Sequence, residues 1–198
     1  MPTVVEAKTL IEAVEETKNL LHTDKILYKS EEIKGKLFKG KTYQVTAISY
    51  QELLEEIKKY LQDVIENLGL EVQFEASFDE KIFNITMYSN NNPILIGKNG
   101  QTLKALETLV KAKIHLDWQI HIKLNLDVAN YKEKRIASLE RLAIKTAKEV
   151  RETKMDAVLE DMNSYERRII HNKLANFKGV STVSEGEEPH RHVIIKAE

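Results

Sequence analysis

Cysteine is absent from all 198 residues, which excludes disulfides, thiolate metal ligands and a cysteine nucleophile together. Glycine and proline are scarce, at 7 and 3, and no repeat or low-complexity tract is present, so each of them reads as local punctuation. No run approaches the roughly eighteen apolar residues of a membrane span. The stretch from Met1 to Leu10 lacks the basic-then-apolar order of a secretion signal, so the expectation is a cytoplasmic protein. An excess of one charge is missing too, with 30 basic against 31 acidic side chains. That balance hides an asymmetry. Residues 49–93 hold 3 basic and 9 acidic side chains, whereas residues 96–145 hold 10 basic and 5 acidic. Screening acts over about 8 Å at physiological salt, so a polyanion responds to the local patch rather than to the sum.

Hydrophobic periodicity divides the chain into three α+β units, 1–48, 49–127 and 128–198. In the first, Val4 to Ala7 predicts a short strand, and Leu10, Ala13, Val14, Thr17, Leu20 and Leu21 mark a helix face. Lys25 to Glu31 and Thr42 to Ile48 predict two strands around Gly35 and Gly40. The second unit opens on Ser49 and Glu52, spaced as a capping box. Leu53, Leu54, Ile57, Tyr60, Leu61, Val64, Ile65 and Leu68 continue at helical spacing until Gly69. Val72, Phe74, Ala76 and Phe78 alternate as in a strand, and Asp79-Glu80 turns into another with Phe83, Ile85 and Met87. Ile94 to Ile96 is a short apolar segment, Leu103 to Val110 a helix, and Trp118, Ile120, Ile122, Leu124 and Leu126 an alternating strand. The predicted order is helix, strand, strand, short helix, helix, strand. In the third unit a charged helix runs from Ala129 to about Thr153, with Ile136, Leu139, Leu142, Ala143, Ala147 and Val150 inward. Ala157 to Leu159 predicts a strand, Asn163 with Glu166 caps a helix, and Val193 to Ile195 closes as a strand.

Two constellations carry candidate chemistry. In Gly97-Lys98-Asn99-Gly100 the paired glycines allow a tight turn with no side chain blocking the backbone. Phosphate can then approach the amides that open the next helix, with Lys98 adding a positive charge. A plain helix–helix turn explains the same four residues. Arg167 and His171, four apart on the predicted helix, share one face, expected to be exposed; a solvated pair is the alternative. Arg191 lies in the tail that runs from Thr182 through Gly186 and Pro189.

The order of elements and Leu95-Ile96-Gly97-Lys98-Asn99-Gly100-Gln101-Thr102-Leu103 resemble a K-homology (KH) domain of the bacterial type II topology, αββααβ. The resemblance implies that Gly97, Lys98, Asn99 and Gly100 clamp the backbone of about four nucleotides while an apolar groove receives bases. Ile96 and Leu103 would support the loop from beneath. Asn163 to His171, with the tail to Arg191, resembles the domain named for its Arg-x-x-x-His signature, the R-three-H domain. That resemblance implies nucleic-acid contacts at Arg167, His171 and Arg191. A KH domain followed directly by an R-three-H domain is similar to the Jag family, and residues 1–48, with Lys34 to Lys41, resemble its N-terminal domain. The resemblance implies a bacterial RNA regulator tied to cell elongation and envelope growth, with a small KH-domain protein and the membrane-protein insertase as partners. Single-stranded RNA is the expected ligand, with single-stranded DNA as the alternative strand.

The rival readings are an enzyme and a scaffold. The 31 acidic residues leave a carboxylate pair open, but their positions read as solvated helix faces. Gly97 to Gly100 lacks the spacing and the Lys-Ser/Thr end of a Walker loop. His190 and His192 face one side of a predicted strand, yet spacing suggests no third ligand, so they read as surface histidines. The expectation is a protein that is not an enzyme and has no metal or cofactor. A scaffold, docking protein partners through its first unit, is the alternative to RNA binding.

Overall fold

The computed structural model describes residues 2–34 and 41–198, in two compact units, residues 1–129 and 130–198. The turn expected around Gly35 and Gly40 lies outside the described residues, as does most of the stretch from Lys34 to Lys41.

The first unit begins with β1 (Thr3–Ala7), α1 (Leu10–Leu21), β2 (Ile26–Lys34) and β3 (Lys41–Ser49). The three strands form an antiparallel sheet in the order β1-β3-β2. Thr9 starts α1 through a capping box with Glu12, each satisfying the other's backbone N–H. Val5, Ala13, Ile26, Val45 and Ala47 make a small buried core between helix and sheet. Leu20, expected inward, is 57% exposed.

Ser49 ends β3 and caps α2 (Tyr50–Asn67). The capping box with Glu52 is formed, and Leu53, Leu54, Ile57, Leu61 and Ile65 are buried along one face. Gly69, at φ +76°, turns the chain out of the helix in a conformation that L residues rarely adopt. β4 (Val72–Asp79) and β5 (Ile82–Ser89) then pair as a hairpin. Its two central residues are Glu80 and Lys81, both at positive φ as a type I′ turn requires, so the turn sits one residue beyond the expected Asp79-Glu80. Phe83, Ile85 and Met87 are buried, while Ala76 is exposed. Tyr50 stacks on Phe78 at 3.9 Å between ring centroids, and Phe83 closes the cluster.

After α3 (Asn92–Ile96) and a 3₁₀ turn at Lys98–Gly100, α4 (Gln101–Trp118) leads to β6 (Lys123–Val128). β6 adds parallel to β5, giving the sheet β4-β5-β6. The order helix, strand, strand, helix, helix, strand is the one the periodicity predicts. α2 and α4 contact each other and lie against β4 and β6 respectively. One boundary differs. The alternation from Trp118 to Ile122 predicts strand, but Trp118 is the last residue of α4, whose helical stripe Leu103, Leu106, Val110 and Ile114 is buried. The Trp118 indole N–H donates to the Glu56 carboxylate on α2, at 3.2 Å to its nearer oxygen, which holds that final turn in the helix.

The second unit contains α5 (Tyr131–Thr153), β7 (Ala157–Val158), α6 (Ser164–Leu174), β8 (Val180–Glu185) and β9 (His192–Ala197). Its antiparallel sheet has the order β7-β9-β8. Leu139, Ala143, Ala147 and Val150 of α5 meet Ile170 and Leu174 of α6 and Val193 and Ile195 of β9 in one core. Leu142, expected inward, is 42% exposed. β8 escapes sequence reading because, of its inward positions, only Val180 is aliphatic, and the other two, Thr182 and Ser184, carry hydroxyls. No helix among the described residues is long and apolar enough to cross a membrane.

Candidate nucleic-acid interface

The glycine turn is built on Leu95, which is fully buried, and on Leu103, also buried; Ile96 is half-buried between them. Gly97 has φ +70° and ψ 179°. A Cβ there would stand 2.1 Å from Thr102 Oγ1 and 2.9 Å from the Thr102 amide nitrogen, so only glycine fits. Asn99 (φ 52°) and Gly100 (φ 79°) follow in the left-handed region. Glycine and asparagine are the residue types that enter it most easily.

Not every amide of the turn is bare. The Gly97 N–H donates to Pro93 O at 2.9 Å and the Gly100 N–H to Gly97 O at 3.3 Å. These bonds hold the turn, and they shift the anion-facing role toward the first turn of α4. That helix starts at Gly100, which has no side chain to cap it, and its first turn contains no Asp or Glu. α1, α2 and α6 differ: each has a Thr, Ser or Asn at the cap and a Glu three residues on. The positive end of α4 is thus left without a built-in carboxylate. Lys98 and Lys104 are exposed beside it, and Gly97, Asn99 and Gly100 are partly exposed.

In the second unit, α6 begins at Asn163, whose side chain accepts from the Glu166 N–H at 3.0 Å while Glu166 Oε2 accepts from the Asn163 N–H at 3.3 Å. Glu166 is 4% exposed, and its other oxygen takes Arg135 Nε of α5 at 2.7 Å. One carboxylate therefore caps α6 and ties it to α5.

Arg167 and His171 do not lie on an open helix face. Arg167 is buried at 9% exposure and His171 is half-buried, because β8 and the turn into β9 pack on that side of α6. Solvent instead meets Tyr165, Arg168 and Asn172. Arg167 Nη2 donates to Glu188 Oε1 at 2.7 Å, and its Nε donates to Met162 O at 3.3 Å. His171 bridges two hydroxyls of β8, with Nδ1 2.7 Å from Thr182 Oγ1 and Nε2 2.7 Å from Ser184 Oγ. Burial, followed by the nearby Arg167 charge, holds the His171 pKa below its ordinary 6.5. Arg191 joins the same corner. Its carbonyl accepts from the Met162 N–H at 3.0 Å, and its Nε is buried with no hydrogen-bond partner among the described residues.

Thr182, Ser184 and Glu188 were not among the expected site residues. The only sequence signal for the hydroxyls is their spacing of two within a strand, and for Glu188 there is none beyond its negative charge in the tail. Near this corner, Asp161 lies between His190 and His192, with Nδ1–O distances of 3.0 and 3.6 Å. The hydrogen bond from His190, helped by the charges of both rings, lowers the Asp161 pKa. Among the described residues, no group of three or more His, Cys, Asp or Glu side chains is arranged to hold a metal.

Residues 52–126 match the family model for the KH domain of KhpA/KhpB, and residues 137–197 match that for the R-three-H domain. The RNA-binding protein KhpB of Clostridium symbiosum is 40% identical over 200 residues, covering 96% of this chain and 89% of that protein. KhpB of Bacillus subtilis is 33% identical, over 80% of this chain and 77% of its own. For KhpB of Lactiplantibacillus plantarum the identity is 38%, over 69% of this chain and 42% of that longer protein. KH and R-three-H domains with relatives of this kind mark a binding protein and not an enzyme. With paired KH and R-three-H domains and this depth of identity along nearly its whole length, the chain belongs to the KhpB family.

Proposed function

We propose that this chain binds single-stranded RNA, through the turn Gly97, Lys98, Asn99 and Gly100 in one domain and through the corner of Arg167, His171 and Arg191 in the other. The observation that carries the reading is the start of α4. It is a helix N-terminus with no capping side chain, no acidic residue in its first turn, and a lysine exposed on each side. A sugar–phosphate chain supplies the negative charge that such an end lacks. The name of the relatives, RNA-binding protein, supports RNA as the ligand. Three modules, 1–48, 49–127 and 128–198, would divide the work, the first for docking and the other two for the strand. Two weak sites on one chain raise overall affinity when a strand spans both.

The resemblance to the Jag family extends the proposal to a cytoplasmic regulator of RNA in cell elongation and envelope growth. It also extends to a small KH-domain partner and the membrane-protein insertase. The test is fluorescence anisotropy of the full chain with an unstructured ribo-oligonucleotide, the same DNA sequence and an RNA duplex. Binding should favour the single-stranded RNA and weaken steeply with salt. Absence of RNA binding at low salt, with a protein partner still captured, would favour the scaffold.

A further inference from the structure

The α6–β8 corner holds an arrangement that the signature residues alone do not explain. Thr182 and Ser184 stand opposite Ile195 and Val193 in the β8–β9 register. Those partners are fully buried, so both hydroxyls occupy the helix-covered face of the sheet. Aliphatic residues would be expected at such positions. Instead the strand presents a pair of hydroxyls to His171, and both residues are half-buried, within reach of solvent. Arg191, two residues before Val193, leaves its Nε buried and unpaired among the described residues. We propose that the Thr182 and Ser184 hydroxyls are contact groups for a phosphate of the bound strand, and that His171, between them, is the positioning residue that aims them. This rests on the reading of the R-three-H domain as an RNA-binding site.

Proton bookkeeping shows how the aim works. A neutral imidazole has one N–H and one bare nitrogen. One hydroxyl therefore accepts from the ring and keeps its own O–H for an outside acceptor, while the other spends its O–H on the bare nitrogen. When His171 takes a proton, both ring nitrogens donate, both hydroxyls accept, and both O–H groups turn outward. The corner gains one positive charge and one outward donor in a single step, and both suit a phosphate oxyanion. The charged groups facing His171 are Arg167, one turn earlier on α6, and through it Glu188 from the β8–β9 turn; β8 contributes the hydroxyls. With no anion present, Arg167 opposes protonation. A bound phosphate reverses that balance, so binding and proton uptake support each other.

The experiment uses the full chain and unstructured ribo-oligonucleotides bearing a 5′-hydroxyl or a 5′-phosphate. The T182V/S184A variant, which keeps shape and removes both hydroxyls, should bind about a hundredfold more weakly or worse, as two lost charge-assisted hydrogen bonds imply. T182S should bind like the parent. A loss confined to the 5′-phosphorylated strand identifies a terminal phosphate, and an equal loss on both identifies an internal diester. Unchanged affinity in T182V/S184A while R167Q weakens binding overturns the proposal and leaves the R-three-H site standing. Unchanged affinity in R167Q as well overturns that reading itself. If the double variant does not fold, nitrogen NMR of the parent decides. Saturation with RNA near about pH 6.5 should move the His171 nitrogens toward the doubly protonated pattern. His171 nitrogens that stay put on saturation overturn the proposal by themselves.

Discussion

Replacing Gly100 offers the sharpest test of the glycine turn, because structure separates the effects of bulk and charge at that position. Gly97 is a poor probe: any side chain there meets Thr102, so a loss of binding would report a broken turn. Gly100, at φ 79° and ψ 13°, lies in the left-handed region that Asn and Asp tolerate best after glycine. Both G100N and G100D should fold, each losing about 1 kcal/mol to the backbone conformation. The two differ in one negative charge. Placed about 5 Å from a phosphate at the start of α4, that charge costs roughly 1 kcal/mol in a water-like medium and about 3 kcal/mol at an effective dielectric of 20. G100D should therefore bind RNA about five- to a hundred-fold more weakly than G100N. Anisotropy titrations at two salt concentrations measure this, with thermal melts as the folding control. The gap between the variants should shrink as salt rises, since screening weakens the repulsion. Equal affinities for G100D and G100N at low salt would falsify the assigned role of the turn.

Other perturbations test the second unit. Glu188 holds Arg167 at 2.7 Å and competes with any phosphate for it, so E188Q should bind RNA severalfold more tightly at low salt; weaker or unchanged binding would mean that Arg167 is not a contact. Glu166 caps α6 and pairs with Arg135 while almost fully buried. E166A should cost about 2–4 kcal/mol in a urea melt, through the lost cap and the stranded arginine, and a midpoint within error of the parent would contradict that account. His171 has a folded pKa below its ordinary 6.5, so the unfolded chain takes up the proton first. Its contribution to stability is complete above about pH 6.5 and fades as pH falls toward the lowered value. The RNA-free parent should therefore lose melting temperature over that window more than H171Q does, and parallel curves would refute the assignment.

Much of the fold was legible in the sequence because local signals agreed with tertiary packing. Ser49 with Glu52 and Asn163 with Glu166 mark helix starts, and both boxes are formed. The stripe Leu53, Ile57, Leu61 and Ile65 marks a face that is buried throughout. Trp118, Ile120 and Ile122 misled because alternation and helical spacing overlap over so few residues; the Glu56 carboxylate on another helix settles the last turn of α4. β8 was invisible for a chemical reason, since two of its three inward residues, Thr182 and Ser184, serve a histidine and only Val180 joins the core. The same strand explains the misjudged face of α6. Periodicity places Arg167 and His171 side by side, but only long-range pairing brings Glu188, Thr182 and Ser184 onto them. At the glycine turn, residue type foretold the backbone, whereas the spending of the Gly97 and Gly100 amides inside the turn depended on Pro93 and on the 3₁₀ geometry.

Ser49 belongs to two elements at once. It pairs with Ile26 as the final residue of β3, its hydroxyl starts α2, and the next amide, that of Tyr50, donates back to Lys25 O at 3.0 Å. A joint with no spare residue behaves as a lever arm rather than a tether: whatever tilts the N-terminal sheet must tilt the root of α2 with it. A load or a docked protein on the first forty-eight residues would then be transmitted to the KH domain mechanically, and a few glycines spliced in after Ser49 would cut the transmission while leaving each end able to fold.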